Sequence, residues 1–194
     1  MKENKVVHNE DNLSSNGLFN VTHVEDTTLQ KINHYFSIMR VTLPTDTLYD
    51  GEILHFAEKL KIPNFRGVKM RDELPKKPRE QECGVLNFNT HDQSGSHWVC
   101  WLKTGNDRYY FDSYGEPPPD ELMSYLKTYK EMTERLPVIR QSAVTVQHYQ
   151  NECGSLCLYV LKKLTDNVPF SEILNFLHKR YNNPSPLTLN VIGI

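Results

Sequence analysis

The residues that raise the question of function lie in the stretch QHYQNECGSLCLYVLKKL, which runs from Gln147 to Leu164. Cys153 stands where this polar run ends and an apolar pattern at helical spacing begins, so we predict that it starts a buried helix. A thiol attacks only as the thiolate, which the partial positive charge and free N–H groups of a helix N-terminus favour. The same position also suits a packing cysteine or a metal ligand, and the rest of the chain must decide between these interpretations.

A nucleophilic cysteine needs a base, and among the eight histidines His97 stands out because of its place in a predicted hairpin. The runs HWVCWLK and RYYFDSY are typical of strands, and the TGND between them indicates a turn. If Thr104-Gly105 is a two-residue turn, His97 lies directly across from Asp112. If TGND is a four-residue loop, the two residues are diagonal neighbours on one face. In either register Asp112 can hold the imidazole and stabilise its charged form.

A third feature is a glutamine six positions before the cysteine. Acyl transfer to sulfur develops negative charge on the substrate oxygen, which requires fixed hydrogen-bond donors. The side-chain amide of Gln147, at the end of a strand predicted over 142–147, and the backbone N–H of Cys153 are candidate donors. Gln150 is the alternative side chain, nearer to the cysteine but set in the looser loop.

The elements around these residues indicate an α+β fold, with a small, mostly antiparallel sheet flanked by helices. We predict strands over 83–89, 97–103, 108–114 and 142–147, and a short strand before the proline-broken loop in FRGVKMRDELPKKPRE. Apolar residues at helical spacing predict five helices, two of them with a recognisable cap, Asp50 and Ser171. In chain order, the first helix carries Leu29, Ile32, Phe36 and Met39, and the second, after Asp50, carries Ile53, Ala57 and Leu60. The third carries Leu122, Tyr125 and Leu126, the fourth Leu156, Val160, Leu161 and Leu164, and the fifth, after Ser171, Ile173, Leu174 and Leu177.

Composition indicates one globular domain with two extensions. The chain has 194 residues, of which 38% are hydrophobic and 24% charged, and its formal net charge is −2. We expect a flexible polar arm over 1–26, the domain over 27–181 and a loose, proline-broken tail over 182–194. Because no apolar run reaches transmembrane length and MKENKVVHNEDN lacks the apolar segment of a secretory signal, we expect an intracellular protein without membrane attachment. Its four cysteines would then be free thiols: Cys83, Cys100, Cys153 and Cys157.

Two further patterns concern metal and nucleic acid. Cys157 lies one helical turn beyond Cys153, but with His148 and Cys100 it does not have the spacing typical of a zinc site, so we predict no metal. The segment Lys59–Arg79 holds eight basic residues against two acidic ones. Since the chain as a whole is slightly acidic, we interpret this segment as a solvated loop and keep weak contact with DNA phosphates as the alternative.

The segments GSHWVCWLKTGNDRYYFDSYG and QHYQNECGSLCLYVL resemble the His-Trp, Asp-Ser and Gln-x5-Cys-Gly motifs of adenain-like and ubiquitin-like-protein-specific cysteine proteases. The segments FRGVKMRDELP and FDSYGEPPP are most similar to the proteases of Maverick/Polinton transposons and related large DNA viruses. The resemblance spans about residues 48–178, in the order His, Asp, Gln, Cys. Each motif alone is weak, but four in this order and spacing are specific.

The resemblance implies a papain-like cysteine protease core of the adenain type and a role for each motif residue. It makes Cys153 the nucleophile, His97 the general base, Asp112 its orienter and Gln147 the oxyanion donor. Trp98 resembles the family's indole that narrows the cleft beside the scissile bond. The implied function is a cysteine endopeptidase that cleaves after or near glycine, at Gly-x-Gly or Gly-Gly sites of viral or virus-like structural precursor proteins.

Two departures from the family pattern bear on substrate and activation. Where SUMO proteases carry a second tryptophan that clamps the diglycine, the aligned segment PTDTLYDG has none, with Thr47 or Leu48 nearest. This favours precursor processing over the alternative, deconjugation of SUMO- or ubiquitin-like modifiers; a non-catalytic binding module is a third hypothesis. Adenain tethers an activating peptide through a cysteine before its glutamine, but no cysteine lies between Cys100 and Cys153. We therefore expect no covalent activation of that kind. We also expect a monomer, located in the host cytoplasm or nucleus or in the virion, that needs no cofactor, with DNA or a peptide left open as activator.

Overall fold

The computed structural model describes residues 37–127 and 139–193 of the chain. The chain divides into two compact units, one of Met1–Met39 with Ile192–Ile194 and the other of Arg40–Val191. Of the first unit, only residues 37–39 and 192–193 are described, and the second unit holds every predicted site residue. The arm predicted over 1–26 and most of the helix predicted from Leu29 to Met39 lie outside the described residues.

The described elements alternate between short strands and helices. In chain order they are β1 (Ser37–Thr42), α1 (Asp50–Lys59), β2 (Phe65–Met70), β3 (Gln81–Asn87), β4 (Trp98–Thr104), β5 (Asp107–Phe111), α2 (Asp120–Lys127), β6 (Ile139–Gln141), α3 (Cys153–Thr165), α4 (Phe170–Asn182) and β7 (Thr188–Gly193). Five strands form the main sheet in the order β2-β3-β4-β5-β6, and β1 pairs with β7 in a second sheet. The central strands β3, β4 and β5 are antiparallel, while β2 and β6 join the edges in parallel. The predicted α+β class is confirmed.

The main sheet is buried on both faces because apolar residues fill both sets of alternating positions in β4. Cys100 and Leu102 belong to the cluster that includes the apolar residues of α3, whereas Val99 and Trp101 belong to the cluster that includes those of α2. Gly84 lies opposite Trp101 in the β3–β4 ladder, where a Cβ would come within 2.3 Å of the indole ring. The glycine therefore makes room for the buried indole of Trp101.

Of the two registers that the sequence allows for the hairpin of β4 and β5, the structure has the one in which His97 and Asp112 are diagonal neighbours. Thr104 pairs with Asp107, which leaves Gly105-Asn106 as a two-residue loop. The predicted loops, Thr104-Gly105 or all four residues of TGND, were both wrong in their bounds. Gly105 takes a φ of +53°, which glycine adopts without strain, and so lets the chain reverse in two residues.

Several other sequence predictions are corrected by long-range pairing. Met39 lies in strand β1 instead of the predicted helix. The strand predicted over 142–147 is instead the shorter β6, three residues upstream, and 142–147 follows it without regular structure. The tail predicted to be loose contributes β7. No helix within the two described ranges is long and apolar enough to cross a membrane.

Two predicted helix caps also differ. The cap of α1 is Tyr49, whose backbone N–H donates to Glu52 Oε2 at 2.9 Å, so that Asp50 is the first residue inside the helix. The cap of α4 is Pro169, and Ser171 lies inside that helix. The observed caps therefore lie one and two residues before the acidic and hydroxyl residues that the sequence indicated.

Candidate active site

His97 and Asp112 meet at the open end of the β4–β5 hairpin. His97 directly precedes β4, Asp112 directly follows β5, and His97 Nε2 lies 3.2 Å from Asp112 Oδ2. The carboxylate is fully buried and the imidazole is mostly covered. The backbone N–H of Tyr114 donates to Asp112 Oδ1 at 2.6 Å, which fixes the carboxylate from the other side. Asp112 is thus a rigid acceptor for the Nε2–H of the imidazole.

The charge state of His97 is set by its burial and by two partners. Burial lowers the pKa of the imidazole and is the largest single influence, but hydrogen bonds to Asp112 and Cys153, with the charges of both, outweigh it and raise the pKa to about 9. Because Asp112 occupies Nε2, Nδ1 is the ring nitrogen left to interact with Cys153. At neutral pH the imidazole is therefore protonated, which is the state that stabilises a thiolate beside it.

Cys153 is the first residue of α3, as predicted, and Glu152 is the helix cap. The first N–H groups of a helix have no partner within it, so the N–H of Cys153 and the positive end of the helix dipole lie beside the thiol. The next residue, Gly154, allows close packing at this end. A Cβ at Gly154 would lie 3.1 Å from the Cβ of Leu48 and 3.3 Å from Trp98 Cδ1.

Trp98 forms a fixed apolar wall at the N-terminus of α3. Its indole N–H donates to the carbonyl oxygen of Leu48 at 2.8 Å, and its ring is half-buried against Gly154. Trp101, the other tryptophan, is fully buried in the opposite core. Of the two residues nearest to the family's second tryptophan, Leu48 is buried and Thr47 is exposed, and neither carries a ring.

Gln147 is buried, and its side-chain amide is fully engaged. Its Nε2 lies 2.6 Å from the carbonyl oxygen of Gln150 and 3.2 Å from the hydroxyl of Tyr114, and its Oε1 accepts from the hydroxyl of Ser113 at 2.6 Å. A carbonyl oxygen only accepts, so the contact with Gln150 fixes which end of the amide carries the protons. Gln150, the alternative donor, has an exposed side chain and contributes its backbone to this network.

Three residues of the site were not predicted: Ser113, Tyr114 and Ser142. The hydroxyl of Ser142 accepts from the N–H of Asp112 at 3.0 Å and donates to its carbonyl oxygen at 2.7 Å, across 30 positions of sequence. The carbonyl oxygen of Ser113 accepts the backbone N–H of Gln147 at 3.3 Å. No local spacing reveals contacts at this separation. The only available signal was that two hydroxyl side chains directly follow the candidate aspartate.

The other cysteines lie in the core. Burial is the main cause that raises the pKa of Cys83 to about 12, and it also raises that of Cys157. The Cys157 sulfur lies 3.4 Å from the carbonyl oxygen of Trp98. The Cys100 sulfur lies 3.6 Å from the carbonyl oxygen of Cys157. His148 is exposed. Among the residues that the structure describes, no group of three His, Cys, Asp or Glu side chains is arranged to hold a metal ion.

The basic segment Lys59–Arg79 is partly neutralised by acidic residues from outside it. Arg66 Nε lies 3.5 Å from a carboxylate oxygen of Glu82, and Arg71 Nε lies 3.5 Å from one of Glu121. These two ion pairs reduce the charge that the segment presents to a polyanion. Contact with DNA through this segment stays a prediction.

The fold and the site together define an α+β domain with a thiol beside a protonated imidazole that a carboxylate orients. No protein-family model matches the chain. It is 25% identical over 141 residues to two proteins of African swine fever virus: the SUMO-1 cysteine protease of a Kenyan pig isolate and the cysteine protease of a Malawian tick isolate. Each match covers 66% of this chain and 45% of the relative, so the chain spans less than half the length of these curated relatives.

The chain is also similar to two solved structures. The crystal structure of the African swine fever virus protease has a TM-score of 0.43 at 16% identity, covering 86% of this chain and 79% of that one. The C-terminal Ulp1 protease domain in complex with Smt3, the yeast orthologue of SUMO, has a TM-score of 0.41 at 14% identity, covering 81% and 93%. The viral sequence relatives support the predicted resemblance to ubiquitin-like-protein-specific cysteine proteases. The closer resemblance to Maverick/Polinton proteases stays a prediction.

Proposed function

We propose that this protein is a cysteine endopeptidase in which Cys153 is the nucleophile. The observation that carries the proposal is the position of His97, which lies 3.2 Å from Asp112 Oδ2 and whose pKa is raised by both Asp112 and Cys153. This order of groups is the one that nucleophilic catalysis by a thiol requires: the nucleophile, its base, and a third group that orients the base. The names of the two viral relatives, both cysteine proteases, support the same class.

In the proposed reaction, the Cys153 sulfur attacks the substrate carbonyl carbon, and negative charge develops on the carbonyl oxygen. The N–H of Cys153 and the network around Gln147 stabilise that charge. The Nδ1–H of His97 then protonates the leaving amine as the C–N bond breaks, which leaves a thioester. Water gives a proton to Nδ1 and attacks the thioester, and release of the acid returns the thiolate beside protonated His97. Asp112 orients the imidazole throughout and transfers no proton.

As substrates we propose viral or virus-like structural precursor proteins that are cleaved after or near glycine. Trp98 supports this proposal because a fixed indole beside the base narrows the path of the substrate backbone. A side chain at the cleaved residue would collide with the ring, whereas glycine has none. Because neither Thr47 nor Leu48, the residues nearest to the family's second tryptophan, carries a ring, the path should be open on one side. Gly-x-Gly sites should therefore be accepted as well as Gly-Gly sites.

A second candidate function is deconjugation of SUMO- or ubiquitin-like modifiers. The observation that favours it is the name of one relative, the SUMO-1 cysteine protease, since this chain matches that protein at 25% identity. The two functions differ in the length of substrate that the enzyme must recognise. A precursor protease needs only the residues around the cleaved bond, whereas a deconjugating enzyme must also bind the folded modifier.

The deciding experiment compares two sets of substrates. Purified protein is incubated with peptides containing Gly-x-Gly and Gly-Gly sites and, in parallel, with C-terminal reporters of ubiquitin-like modifiers. We expect cleavage of the peptides, complete loss of turnover in Cys153→Ala, and retained turnover in Cys83→Ala, which removes a buried thiol elsewhere. Turnover of the reporters alone would favour the deconjugating function. No turnover of either set would leave a non-catalytic binding module as the function.

The glycine requirement is tested with a peptide library scored by kcat/KM. We expect glycine at the cleaved position to exceed alanine by well over about tenfold, which corresponds to about 1.4 kcal/mol of transition-state binding. Turnover of alanine and larger residues within that margin would contradict the narrow path beside Trp98, while leaving the protease function intact.

A further inference from the structure

The side chain expected to stabilise the oxyanion has no proton left for a substrate in this structure. The Gln147 amide carries two protons on Nε2. One points to the carbonyl oxygen of Gln150, 2.6 Å away, and the other to the hydroxyl of Tyr114, 3.2 Å away. A substrate oxygen that approached Cys153 would therefore meet the phenol of Tyr114 where a free amide proton was expected.

Besides Gln147, Tyr114 contacts His97, Asp112 and Thr145, which fix its position. Its ring packs on the imidazole of His97, with 4.9 Å between ring centroids and 33° between ring planes. Its backbone N–H donates to Asp112 Oδ1 at 2.6 Å, and its carbonyl oxygen accepts from Thr145 Oγ1 at 3.1 Å. The side chain is nevertheless 44% exposed, so it borders the surface that a substrate must cross.

The hydroxyl of Tyr114 also lies close enough to the thiol to respond to its charge. Burial is the first cause that raises the pKa of this phenol, and the negative charges of Cys153 and Asp112 follow. The phenol consequently keeps its proton at neutral pH. A phenol both donates and accepts, and a hydroxyl that accepts one hydrogen bond becomes a better donor of the next.

In the described part of the chain, the hydroxyl of Tyr114 accepts from Gln147 but donates to no acceptor. Its proton is therefore available to an oxygen that develops charge beside Cys153. We infer that Tyr114 is a catalytic residue of the proposed hydrolase, which donates a hydrogen bond to the oxyanion formed when Cys153 attacks. Gln147 is then a positioning residue that holds the phenol. This inference rests on the proposed function, and it differs from the sequence prediction in which Gln147 is itself the donor.

The first test is Tyr114→Phe, which removes one oxygen and keeps the ring on His97. We expect kcat to fall about 100-fold, since loss of one oxyanion donor costs roughly 10²–10³ in kcat. KM should change by less than about threefold, because the contact strengthens only in the transition state. The matched control is Tyr149→Phe, an equally exposed tyrosine in the loop before Cys153, which should leave both constants unchanged.

The second test separates a donor to the oxyanion from a support for His97. A peptide aldehyde adds to the Cys153 sulfur and places its oxygen where the oxyanion forms, whereas iodoacetamide alkylates the sulfur without forming one. We expect Tyr114→Phe to weaken inhibition by the aldehyde about tenfold, or about 1.4 kcal/mol, and to leave the alkylation rate within about twofold. Equal loss in both assays would show that the phenol acts through His97 and would overturn the inference.

The third test asks whether Gln147 acts through the phenol. If it does, adding Gln147→Ala to Tyr114→Phe lowers kcat by less than about threefold beyond the single change, because the two residues act as one unit. If the fold-loss of kcat in the double variant equals the product of the two single losses, Gln147 donates to the oxyanion independently of Tyr114, which contradicts the inference.

Two remaining outcomes distinguish this inference from the proposed function. Wild-type turnover together with unchanged or faster turnover of Tyr114→Phe would overturn the inference alone, because the phenol would then only cover the Gln147 amide. A wild-type protein that neither cleaves peptides nor binds the aldehyde would overturn both.

Discussion

The guanidinium of Arg180 and the carboxylate of Glu152 form a two-point ion pair beside the candidate nucleophile. Nη1 lies 3.0 Å from Oε1 and Nη2 lies 2.9 Å from Oε2, and both side chains are almost completely buried. Glu152 Oε1 also accepts the backbone N–H of His148 at 3.1 Å. The pair thus ties α4 to the loop between Gln147 and Cys153, the loop on which the geometry of the site depends.

We expect Arg180→Met to lower the free energy of unfolding by about 3–5 kcal/mol, because it leaves the buried Glu152 carboxylate without a cationic partner. The control is Arg140→Met, which breaks an exposed pair with Asp107 and should cost less than about 1 kcal/mol. Urea unfolding measures both. Combining Arg180→Met with Glu152→Gln should recover part of the loss, since the uncompensated charge is then gone. Equal effects of the two arginine substitutions would contradict the buried pair.

Iodoacetamide at mildly acidic pH should label Cys153 ahead of the other thiols. Cys153 lies at a helix N-terminus beside protonated His97, whereas burial raises the pKa of Cys83 and Cys157 and keeps them as thiols. Peptide mass mapping after limited labelling identifies the site, and the remaining cysteines serve as controls within the same chain. Labelling spread evenly over the four residues would argue against Cys153 as the nucleophile.

Asp112→Asn should lower the pKa of His97 from about 9 toward or below its ordinary value of 6.5, because burial then acts with less opposition. Because the imidazolium then loses its proton at lower pH, the basic limb of the pH profile of kcat/KM should shift to lower pH. Partial activity should remain near neutral pH. Proton NMR of the imidazole follows the titration directly. The control is Asp72→Asn, which removes the partner of exposed His91 and should leave His97 unchanged.

The same shift in pKa links stability to pH. His97 has a higher pKa in the folded state than in the unfolded state, so its contribution to stability is complete below about 6.5 and is lost as pH rises to about 9. Asp112→Asn should flatten this part of the stability profile. The measurement is the difference in the free energy of unfolding between the wild type and Asp112→Asn at these two pH values. If this difference is the same at both, His97 and Asp112 are not coupled.

Gly154→Ala and Gly51→Ala should have opposite effects, although each glycine is the second residue of a helix. A Cβ at Gly51 meets nothing within 4 Å, so alanine should stabilise by up to about 1 kcal/mol. A Cβ at Gly154 meets Leu48 at 3.1 Å and Trp98 at 3.3 Å, so crowding should cost about 1–3 kcal/mol. We expect kcat/KM to fall only in Gly154→Ala, as Trp98 shifts relative to Cys153. Equal stabilisation by both substitutions would show that the contact is not tight.

The sequence by itself determined the parts of this protein that depend on neighbours in the chain. The apolar spacing after Cys153 predicted α3 and its first residue. The short turn between β4 and β5 kept His97 and Asp112 within reach in either register, and they lie 3.2 Å apart. Both outcomes follow because a helix and a hairpin are specified by residues a few positions apart, whose periodicity and turn chemistry are visible locally.

Only the tertiary structure decided the contacts that join distant segments. Residues 142–147 have the composition of a strand, but the hydroxyl of Ser142 takes both backbone hydrogen bonds of Asp112 that a neighbouring strand would have made. The pairing of β7 with β1, the ion pair of Glu152 with Arg180, and the contact of Gln147 with Tyr114 likewise join positions at least 28 apart. No short-range pattern encodes such partners, because packing and the demand that buried polar groups be satisfied select them only once the chain is folded.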